Sequence, residues 1–296
     1  MKVFVTGASG FIGSAVVKEL LDAGHEVLGL ARSAESARMV EEAGATVLRG
    51  ALEDLDILKE GATQSDGVIH TAFSHDFTQF DKSAAADKAA IEAMGNALKG
   101  TDKPIVITGG TLGLPLIDGW ITEDSVAPKE SPRFSESAMM SLAEAGVHAS
   151  IVRLAPSVHG TYDRGFRAGF GLIIVETAKQ KGFAAYVGDG SNRWSAVHRL
   201  DAARLFRLAL EQSAVGARYN AAGDAGITMR ELAQLTGEKL DLPVKSISPE
   251  EAKEYYSWMS YFISFESAVK IDETREQLGW EPGHPGLLED LRKNYF

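Results

Sequence analysis

Short apolar runs alternate with helical patterns over the first half of the chain, which is typical of β–α–β units. Six strands are predicted there, at residues 2–6, 26–31, 46–49, 67–71, 105–108 and 149–154. Helices are predicted between them, near residues 12–23, 34–43, 81–99 and 133–145. Several of the strands are apolar throughout, as strands buried on both faces of a parallel sheet are. The pattern therefore predicts an α/β fold built on a doubly wound parallel sheet.

The alternation becomes irregular after about residue 157. Further helices are predicted at 167–181 and 201–211, and strands near Tyr186 and at 218–222, the last of which returns to the main sheet. Residues 227–296 contain two helical patterns, a strand at 244–247 and a dense run of aromatic side chains. We predict that residues 1–157 and about 194–224 form the main domain. A smaller C-terminal lobe then consists of about 158–193 and 225–296.

A glycine-rich turn, Thr6-Gly7-Ala8-Ser9-Gly10-Phe11-Ile12-Gly13, joins the first strand to the first helix. Gly7 permits a tight turn, Gly10 lets the backbone approach a pyrophosphate, and Gly13 allows close helix–strand packing. The helix N-terminus adds amide donors and a partial positive charge. The alternative is an ordinary tight turn, but the strand–turn–helix context favours a Rossmann-type dinucleotide-binding domain.

The residues after the second strand indicate which dinucleotide is bound. NAD sites usually place Asp or Glu there, about 20 residues after the turn, to bind the ribose 2′-hydroxyl. This chain has Arg32 and Ser33 instead, with Arg38 about one helical turn further on. A guanidinium matches a 2′-phosphate in charge and in fork geometry. We therefore predict NADP(H) as the cofactor; the alternative is a solvated arginine on a surface loop.

These residues resemble the extended and atypical short-chain dehydrogenase/reductases, and the resemblance covers nearly the whole chain. Residues 6–13 resemble the family's TGxxGxxG motif, and residues 153–160 resemble its R-x-x-x-V-Y-G stretch. Residues 194–203 resemble its W-x-x-V-H-x-x-D-x-A segment, and residues 278–282 its C-terminal L-G-[WF]-x-P. Within the family, the chain resembles an atypical branch described as NAD(P)-binding proteins similar to 3β-hydroxysteroid dehydrogenases.

The resemblance implies that the Rossmann domain carries the cofactor and that the C-terminal lobe closes over the substrate. It also implies that the fourth strand ends beside the cofactor ribose and that a Pro–Val segment backs the nicotinamide. The residues assigned to the cofactor are Gly7, Ser9, Gly10, Phe11, Ile12, Gly13, Arg32, Ser33, Leu52, Thr71, Ala72, Phe73, Thr108, Pro156, Ser157 and Val158.

The usual catalytic pair of the family is missing. Family reductases use Tyr-x-x-x-Lys, but none of the 7 tyrosines has a lysine four residues later. The family's serine after the fifth strand is also replaced, within residues 108–111. Cofactor binding is expected to survive these changes better than the standard chemistry does.

Three other side chains are candidates for the catalytic role. Thr111 lies in the loop where it could bond a carbonyl oxygen, or it could cap the local turn. His75, next to Asp76, could act as a general acid near neutral pH, or belong to a polar surface loop. Tyr162 could donate a proton or simply line a pocket; an unassisted phenol, with a pKa of about 10, is a slow acid.

Composition narrows the class of protein. The net charge of −11 over 296 residues argues against nucleic-acid binding, and the absence of cysteine excludes disulfides and thiolate metal sites. Scattered single histidines predict no metal centre. With no leader and no long apolar stretch, we expect a cytoplasmic protein without membrane contact. Helices 81–99 and 133–145 occupy the positions through which relatives dimerise, so monomer and homodimer both remain open.

The function predicted from the sequence is an NADPH-dependent oxidoreductase that reduces a carbonyl or an activated C=C or C=N bond of a small organic substrate. The aromatic run at 255–262 predicts either a wall for a bulky apolar substrate or part of the core. Two alternatives follow from the missing pair: a non-catalytic NADP(H)-binding sensor or regulator, and an epimerase or isomerase that retains its cofactor.

Overall fold

The computed structural model describes residues 1–74, 79–128, 131, 133–162 and 165–296 of the chain. Its strands are β1 (Lys2–Thr6), β2 (Glu26–Ala31), β3 (Thr46–Arg49), β4 (Gly67–His70), β5 (Ile105–Gly110), β6 (Ala149–Leu154), β7 (Ser157–Tyr162), β8 (Gly165–Arg167), β9 (Ala184–Val187), β10 (Arg193–His198), β11 (Arg218–Ala221), β12 (Asp224–Thr228) and β13 (Val244–Ile247).

The helices are α1 (Gly13–Asp22), α2 (Ala34–Glu42), α3 (Leu55–Thr63), α4 (Phe80–Ala97), α5 (Ser135–Glu144), α6 (Gly169–Lys181), α7 (Arg199–Gln212), α8 (Met229–Leu240), α9 (Pro249–Tyr256), α10 (Asp272–Leu278) and α11 (Leu287–Asn294), with a 3₁₀ turn at Ser257–Tyr261. None of the helices in the described part of the chain is long and apolar enough to cross a membrane.

Seven parallel strands form the main sheet, in the order β3-β2-β1-β4-β5-β6-β11. Buried side chains of α1 and α7 pack on one face, and those of α3, α4 and α5 on the other. The predicted Rossmann-type doubly wound sheet is confirmed. The strand order reverses between β1 and β4, and ligands of open α/β sheets bind at such a switch point, beyond the carboxyl ends of the strands.

The second half of the chain adds two small sheets and a separate apolar cluster. One sheet has the order β12-β10-β7-β8, and the other pairs β13 with β9. A cluster formed by the apolar faces of α6, α8, α9 and α11 is the core of this lobe. The stretch 227–296 contains four α-helices, not only the two that the pattern predicts.

β10 lies within residues 194–224, which the sequence assigns to the main domain. It pairs with β7 and β12 of the four-stranded sheet. The strand at 218–221 does return to the main sheet, as predicted, because β11 pairs with β6 along its whole length. The four-stranded sheet therefore joins the two parts, and the exact domain boundaries stay a prediction.

Candidate functional site

The glycine-rich turn is shaped by backbone-to-backbone contact. Gly7 has φ +69°, and the N–H of Gly10 donates to the Gly7 carbonyl at 2.8 Å. A Cβ on Gly13 would lie 2.0 Å from that same carbonyl oxygen, which is too close for any side chain to fit there without moving the turn. Among the described residues, a Cβ on Gly10 would have one atom within 4 Å, the Gly7 oxygen at 3.0 Å, and would otherwise project into open space. The turn thus fits a pyrophosphate that approaches at Gly10 and meets the amides of α1.

The end of β4 is bonded to the start of this turn. The Thr71 hydroxyl donates to the Thr6 carbonyl at 2.8 Å, and the Ala72 N–H donates to the Thr6 hydroxyl at 3.3 Å. On β5, the buried Thr108 hydroxyl donates to the His70 carbonyl at 2.7 Å. These bonds hold the carboxyl ends of β1, β4 and β5 together around the switch point, where the predicted cofactor residues lie.

Arginines gather at the ends of β2 and β3. Arg32 is exposed, and within the described part of the chain its guanidinium makes no hydrogen bond or ion pair. Ser33 is the N-cap of α2, and its hydroxyl accepts a bond from the Ser36 N–H at 3.1 Å. The Arg49 guanidinium donates to the Ser33 carbonyl at 2.8 Å, which brings a second cation to this loop. Arg38 lies further along α2, with its Nε 3.7 Å from Oε1 of Glu42.

The remaining predicted cofactor contacts face different surroundings. Leu52 is half-buried and packs on the α3–α5 face of the sheet. Ser157 is buried, and its hydroxyl accepts a bond from the Gly171 N–H at 3.1 Å, so it holds the start of α6. Val158 is buried in the apolar cluster on the α1–α7 face, whereas Pro156 is half-buried just before β7. Of these residues, Leu52 and Pro156 keep part of their surface exposed.

Two of the three catalytic candidates, Thr111 and Tyr162, lie among the described residues, and their side chains contact different neighbours. Thr111 is fully buried, and its hydroxyl lies 3.4 Å from both the Leu154 carbonyl and the Ser267 hydroxyl, which favours a structural role. Tyr162 packs edge-on against Phe11 of the glycine-rich turn, with ring centroids 5.2 Å apart. His75 lies outside the described residues.

Arg199 joins the glycine-rich turn to the end of β7, a role that the sequence does not predict. Its guanidinium donates to the Phe11 carbonyl at 2.9 Å, to the Thr161 carbonyl at 3.1 Å and to the Ser14 hydroxyl at 2.8 Å. It also lies 5.1 Å from the ring centroid of Phe11 and 5.4 Å from that of Tyr162. The first turn of α1 is therefore fixed to β7 by one buried cation.

A buried polar chain begins under the glycine-rich turn. The Thr6 hydroxyl lies 2.7 Å from Nδ1 of His70, and Nε2 of His70 lies 3.0 Å from Oδ1 of Asp87. Burial by itself raises the pKa of Asp87, but His70, Arg133 and Ser135 outweigh it and hold that pKa below its usual value. Asp87 is therefore an anion at neutral pH, enclosed beneath the site.

The chain continues to a cation at the carboxyl end of β5. The Ser135 hydroxyl donates to Oδ2 of Asp87 at 2.6 Å and accepts from Nε of Arg133 at 3.1 Å. Nη2 of Arg133 donates to the Thr108 carbonyl at 3.1 Å, and its Cζ lies 4.7 Å from the ring centroid of Phe73. A buried carboxylate thus holds an arginine at the edge of the sheet where ligands bind.

One group of residues offers three possible metal ligands among those that the structure describes: His198, Asp201 and His284, with donor atoms within 4.8 Å of one another. The two imidazoles stack 4.6 Å apart with only 10° between their planes. A metal in the plane of one ring would lie out of the plane of the other. Asp201 already accepts bonds from His284 Nδ1 at 2.8 Å and from two backbone N–H groups at 3.0 Å. The arrangement fits a hydrogen-bonded joint, and we propose no metal there.

Comparison with known proteins identifies the family to which the chain belongs. Residues 3–99 match the NAD dependent epimerase/dehydratase family. Two uncharacterised yeast proteins match the whole chain: one from Schizosaccharomyces pombe is 45% identical over 298 residues, covering 100% of both chains. The other, from Saccharomyces cerevisiae, is 46% identical over 303 residues, covering 100% of this chain and 99% of the relative. The chain is an extended, atypical short-chain dehydrogenase/reductase.

More distant relatives are consistent with that assignment. The 2′-dehydrokanamycin reductase of Streptomyces kanamyceticus is 28% identical over 256 residues, or 84% of this chain and 69% of that protein. A solved nucleoside-diphosphate-sugar epimerase from Pseudomonas aeruginosa shares the fold, with a TM-score of 0.79, 18% identity and coverage of 99% and 96% of the two chains. This short-chain dehydrogenase/reductase therefore belongs to an NAD(P)-dependent family of dehydrogenases, reductases and epimerases.

Proposed function

We propose that the protein is an NADPH-dependent reductase acting on a carbonyl, or on an activated C=C or C=N bond, of a small organic molecule. The observation that carries the choice of cofactor is the exposed Arg32, with Arg49 beside the same loop and no carboxylate at the end of β2. The glycine-rich turn supports the binding of a dinucleotide, because neighbouring atoms close the Cβ positions of Gly7 and Gly13, whereas that of Gly10 is open to a pyrophosphate. Bound NADPH would supply a hydride.

The chain's own residues would bind and orient the cofactor. The N-terminus of α1 offers amide donors to the pyrophosphate, and Arg32 with the N-terminus of α2 offers charge and donors to the 2′-phosphate. Thr71, Ala72 and Phe73, at the end of β4, would border the ribose. These assignments follow from the position of each residue at the carboxyl edge of the sheet.

An aromatic cluster supports a bulky apolar substrate. The Phe170 ring, at the start of α6, lies 6.1 Å from Trp194, 6.0 Å from Trp258 and 6.3 Å from Phe262, centroid to centroid. Trp258 still exposes 44% of its surface. By contrast, Tyr255 and Tyr256 are buried, so the aromatic run divides into a core part and a part open to ligands.

Titration with NADPH and NADH on wild type and on Arg32→Ala tests the cofactor assignment. A charge-assisted hydrogen bond contributes about 1.5–3 kcal/mol. NADPH affinity should therefore fall about tenfold or more, while NADH affinity changes little. Arg275→Ala is the matched control, because Arg275 lies on α10 and pairs with Glu281 at 2.9 Å. Equal losses for NADPH and NADH would reject the 2′-phosphate role.

A second candidate function, a non-catalytic NADP(H) sensor or regulator, is favoured by the missing Tyr-x-x-x-Lys pair. NADPH consumption over a panel of ketones, enones and imines separates the two candidates. Turnover supports the reductase; tight NADP(H) binding without turnover, and with discrimination between its two redox forms, supports the sensor. A nucleotide that exchanges slowly while a substrate is interconverted without net oxidation would instead indicate an epimerase or isomerase.

A further inference from the structure

Arg133 lies next to a gap at the carboxyl end of β5. Gly110 is the last residue of that strand, and a Cβ placed on it would lie 3.7 Å from Nη1 of Arg133 and 3.9 Å from the Leu154 carbonyl oxygen. Among the described residues, no other heavy atom comes within 4 Å of that position, apart from the chain neighbours. The missing side chain therefore leaves Nη1 facing a space at the edge of the sheet where a substrate would lie.

The guanidinium is held from its other side. Nε donates to Ser135 and Nη2 to the Thr108 carbonyl, each at 3.1 Å, while Phe73 packs against the guanidinium face. Among the described residues, Nη1 has no hydrogen-bond partner. Burial lowers the pKa of Arg133, and the Asp87 carboxylate opposes that shift; an arginine side chain stays protonated in proteins. Nη1 of Arg133 is thus a charged donor that the other two nitrogens hold in position and that is available to a ligand.

A carbonyl reduction needs such a donor in this chain. When a hydride adds to a carbonyl carbon, the oxygen takes the π electron pair and becomes an alkoxide. Neither the family's tyrosine nor its serine is present to stabilise that charge. Preorganised donors aimed at a developing oxyanion commonly make the largest single contribution to catalysis of this kind.

We propose that Nη1 of Arg133 binds the carbonyl oxygen of the substrate and stabilises the alkoxide formed there. This inference rests on the proposed reductase function. The carbonyl carbon accepts a hydride with its electron pair from the reduced nicotinamide, which is thereby oxidised, and the C=O π bond becomes a lone pair on oxygen. Water gives its proton to that oxygen and leaves hydroxide to the buffer. Arg133 transfers no proton; it acts by charge and position.

Asp87 has a positioning role in this scheme. Its carboxylate accepts bonds from His70 and Ser135, and Ser135 in turn accepts from Arg133. Without the carboxylate charge, the guanidinium of Arg133 is still present but should be held less firmly in place. Asp87→Asn is therefore expected to lower kcat less than Arg133→Met does.

Carboxylate binding tests the inference without requiring a known substrate. Calorimetry with acetate, benzoate and the neutral analogue benzamide would be carried out on wild type, Arg133→Met, Arg133→Lys and the control Arg275→Met, with and without NADP⁺. Carboxylates should bind at least about tenfold more weakly to Arg133→Met than to wild type, as expected for a lost charge-assisted bond. Benzamide affinity should change less, and Arg133→Lys should fall between wild type and Arg133→Met because it keeps the charge but not the fork.

The outcomes separate this inference from the proposed function. Equal carboxylate affinities for wild type and Arg133→Met, with both variants folded by circular dichroism, would overturn the role of Arg133. Failure of wild type to bind either carboxylate would overturn it too. If wild type turns over a ketone, kcat of Arg133→Met should fall about 100-fold, with a smaller change in KM; an unchanged kcat also rejects the inference. A wild type that binds carboxylates through Arg133 yet never oxidises NADPH would instead reject the reductase.

Discussion

The two sides of the cleft are stabilised by different interactions. On the cofactor side, the turn between β1 and α1 depends on backbone atoms packed against one another at Gly7 and Gly13. On the side of β5 and β6, the site depends on buried charges, Asp87 and Arg153, that hold other groups in place. A cradle of backbone tolerates almost no added atom, whereas a network of charges tolerates changes of shape but not the loss of one partner.

The largest effect is expected on the charged side, at Arg153 on β6. This side chain is fully buried and donates two bonds to the Glu136 carboxylate, at 2.6 and 2.9 Å. It also donates to the backbone carbonyls of the loop at 122–125, including that of Ser125. Among the described residues, Arg153→Met leaves Glu136 with Arg218 as its one cation, with Nε and Oε1 3.1 Å apart, and it removes a donor from three backbone carbonyls. The free energy of unfolding should fall by about 3–5 kcal/mol.

Urea denaturation measures this loss, and an exposed pair supplies the control. Lys18 and Asp22 form an ion pair at 2.7 Å with side chains 71% and 62% exposed. Lys18→Met should change the free energy of unfolding by less than about 1 kcal/mol. Similar losses for the two variants would contradict the view that buried charges organise the β6 side.

The next effect is expected in the backbone cradle, at Gly13. Gly13→Ala places a Cβ where the Gly7 carbonyl already lies, so the turn has to open. We expect a loss of about 1–3 kcal/mol in stability from overpacking. We also expect the variant to lose measurable NADPH binding, because the displaced turn no longer offers its amides. Fluorescence titration and thermal unfolding measure the two effects.

Gly283→Ala is the control for this substitution. Gly283 has no positive φ, and a Cβ there would have no atom of the described residues within 4 Å, apart from its chain neighbours. Its stability and NADPH affinity should match wild type. An alanine at position 13 that preserves NADPH binding would show that the turn has more freedom than its contacts indicate.

The same contrast explains what could be predicted from the sequence. The main-sheet strands were found because β1, β2, β4 and β6 are nearly continuous apolar runs, and the turn was found because its glycines are adjacent in sequence. Helix α3 was missed: it has 9 residues, a short pattern that follows β3 closely. The pattern also does not predict β7, β8 and β12. β7 and β12 pair with β10, which lies about 30 residues or more away in the sequence, and β8 is an edge strand of only three residues.

The charged side could not be predicted for a related reason. Asp87 and Ser135 are 48 residues apart, and no spacing rule links a carboxylate in the middle of α4 with the start of α5. Arg133 was expected to be the first residue of a helix, but α5 begins at Ser135, which leaves Arg133 in the preceding loop. Arg49 could have been noticed, because a basic residue at the end of β3 lies beside the end of β2 in a parallel sheet.

The smallest predicted effect concerns pH and the joint between β10 and the C-terminal segment. Burial, together with the charges of His159 and His284, lowers the pKa of His198 to about 4. Asp290 and Asp201 oppose this shift but do not cancel it. In the unfolded chain a histidine has a pKa of about 6.5. The neutral imidazole therefore contributes stability in full above pH 6.5, and that stability is lost as the pH falls from about 6.5 towards 4.

His198→Asn tests this dependence, because it removes the titrating ring and can keep the cap. Nδ1 of His198 accepts the Leu200 N–H at the start of α7, and an asparagine oxygen can accept the same bond. Between pH 7.5 and pH 5, wild type should lose on the order of 1 kcal/mol more than the variant in urea denaturation, a value reduced for the ring's partial exposure. His159, whose pKa burial also lowers, should keep part of the slope in the variant. If the free energy of unfolding had the same dependence on pH in the two proteins, His198 would titrate alike in the folded and unfolded chain. The contacts around His198 would then be no more sensitive to pH than the glycine-rich turn.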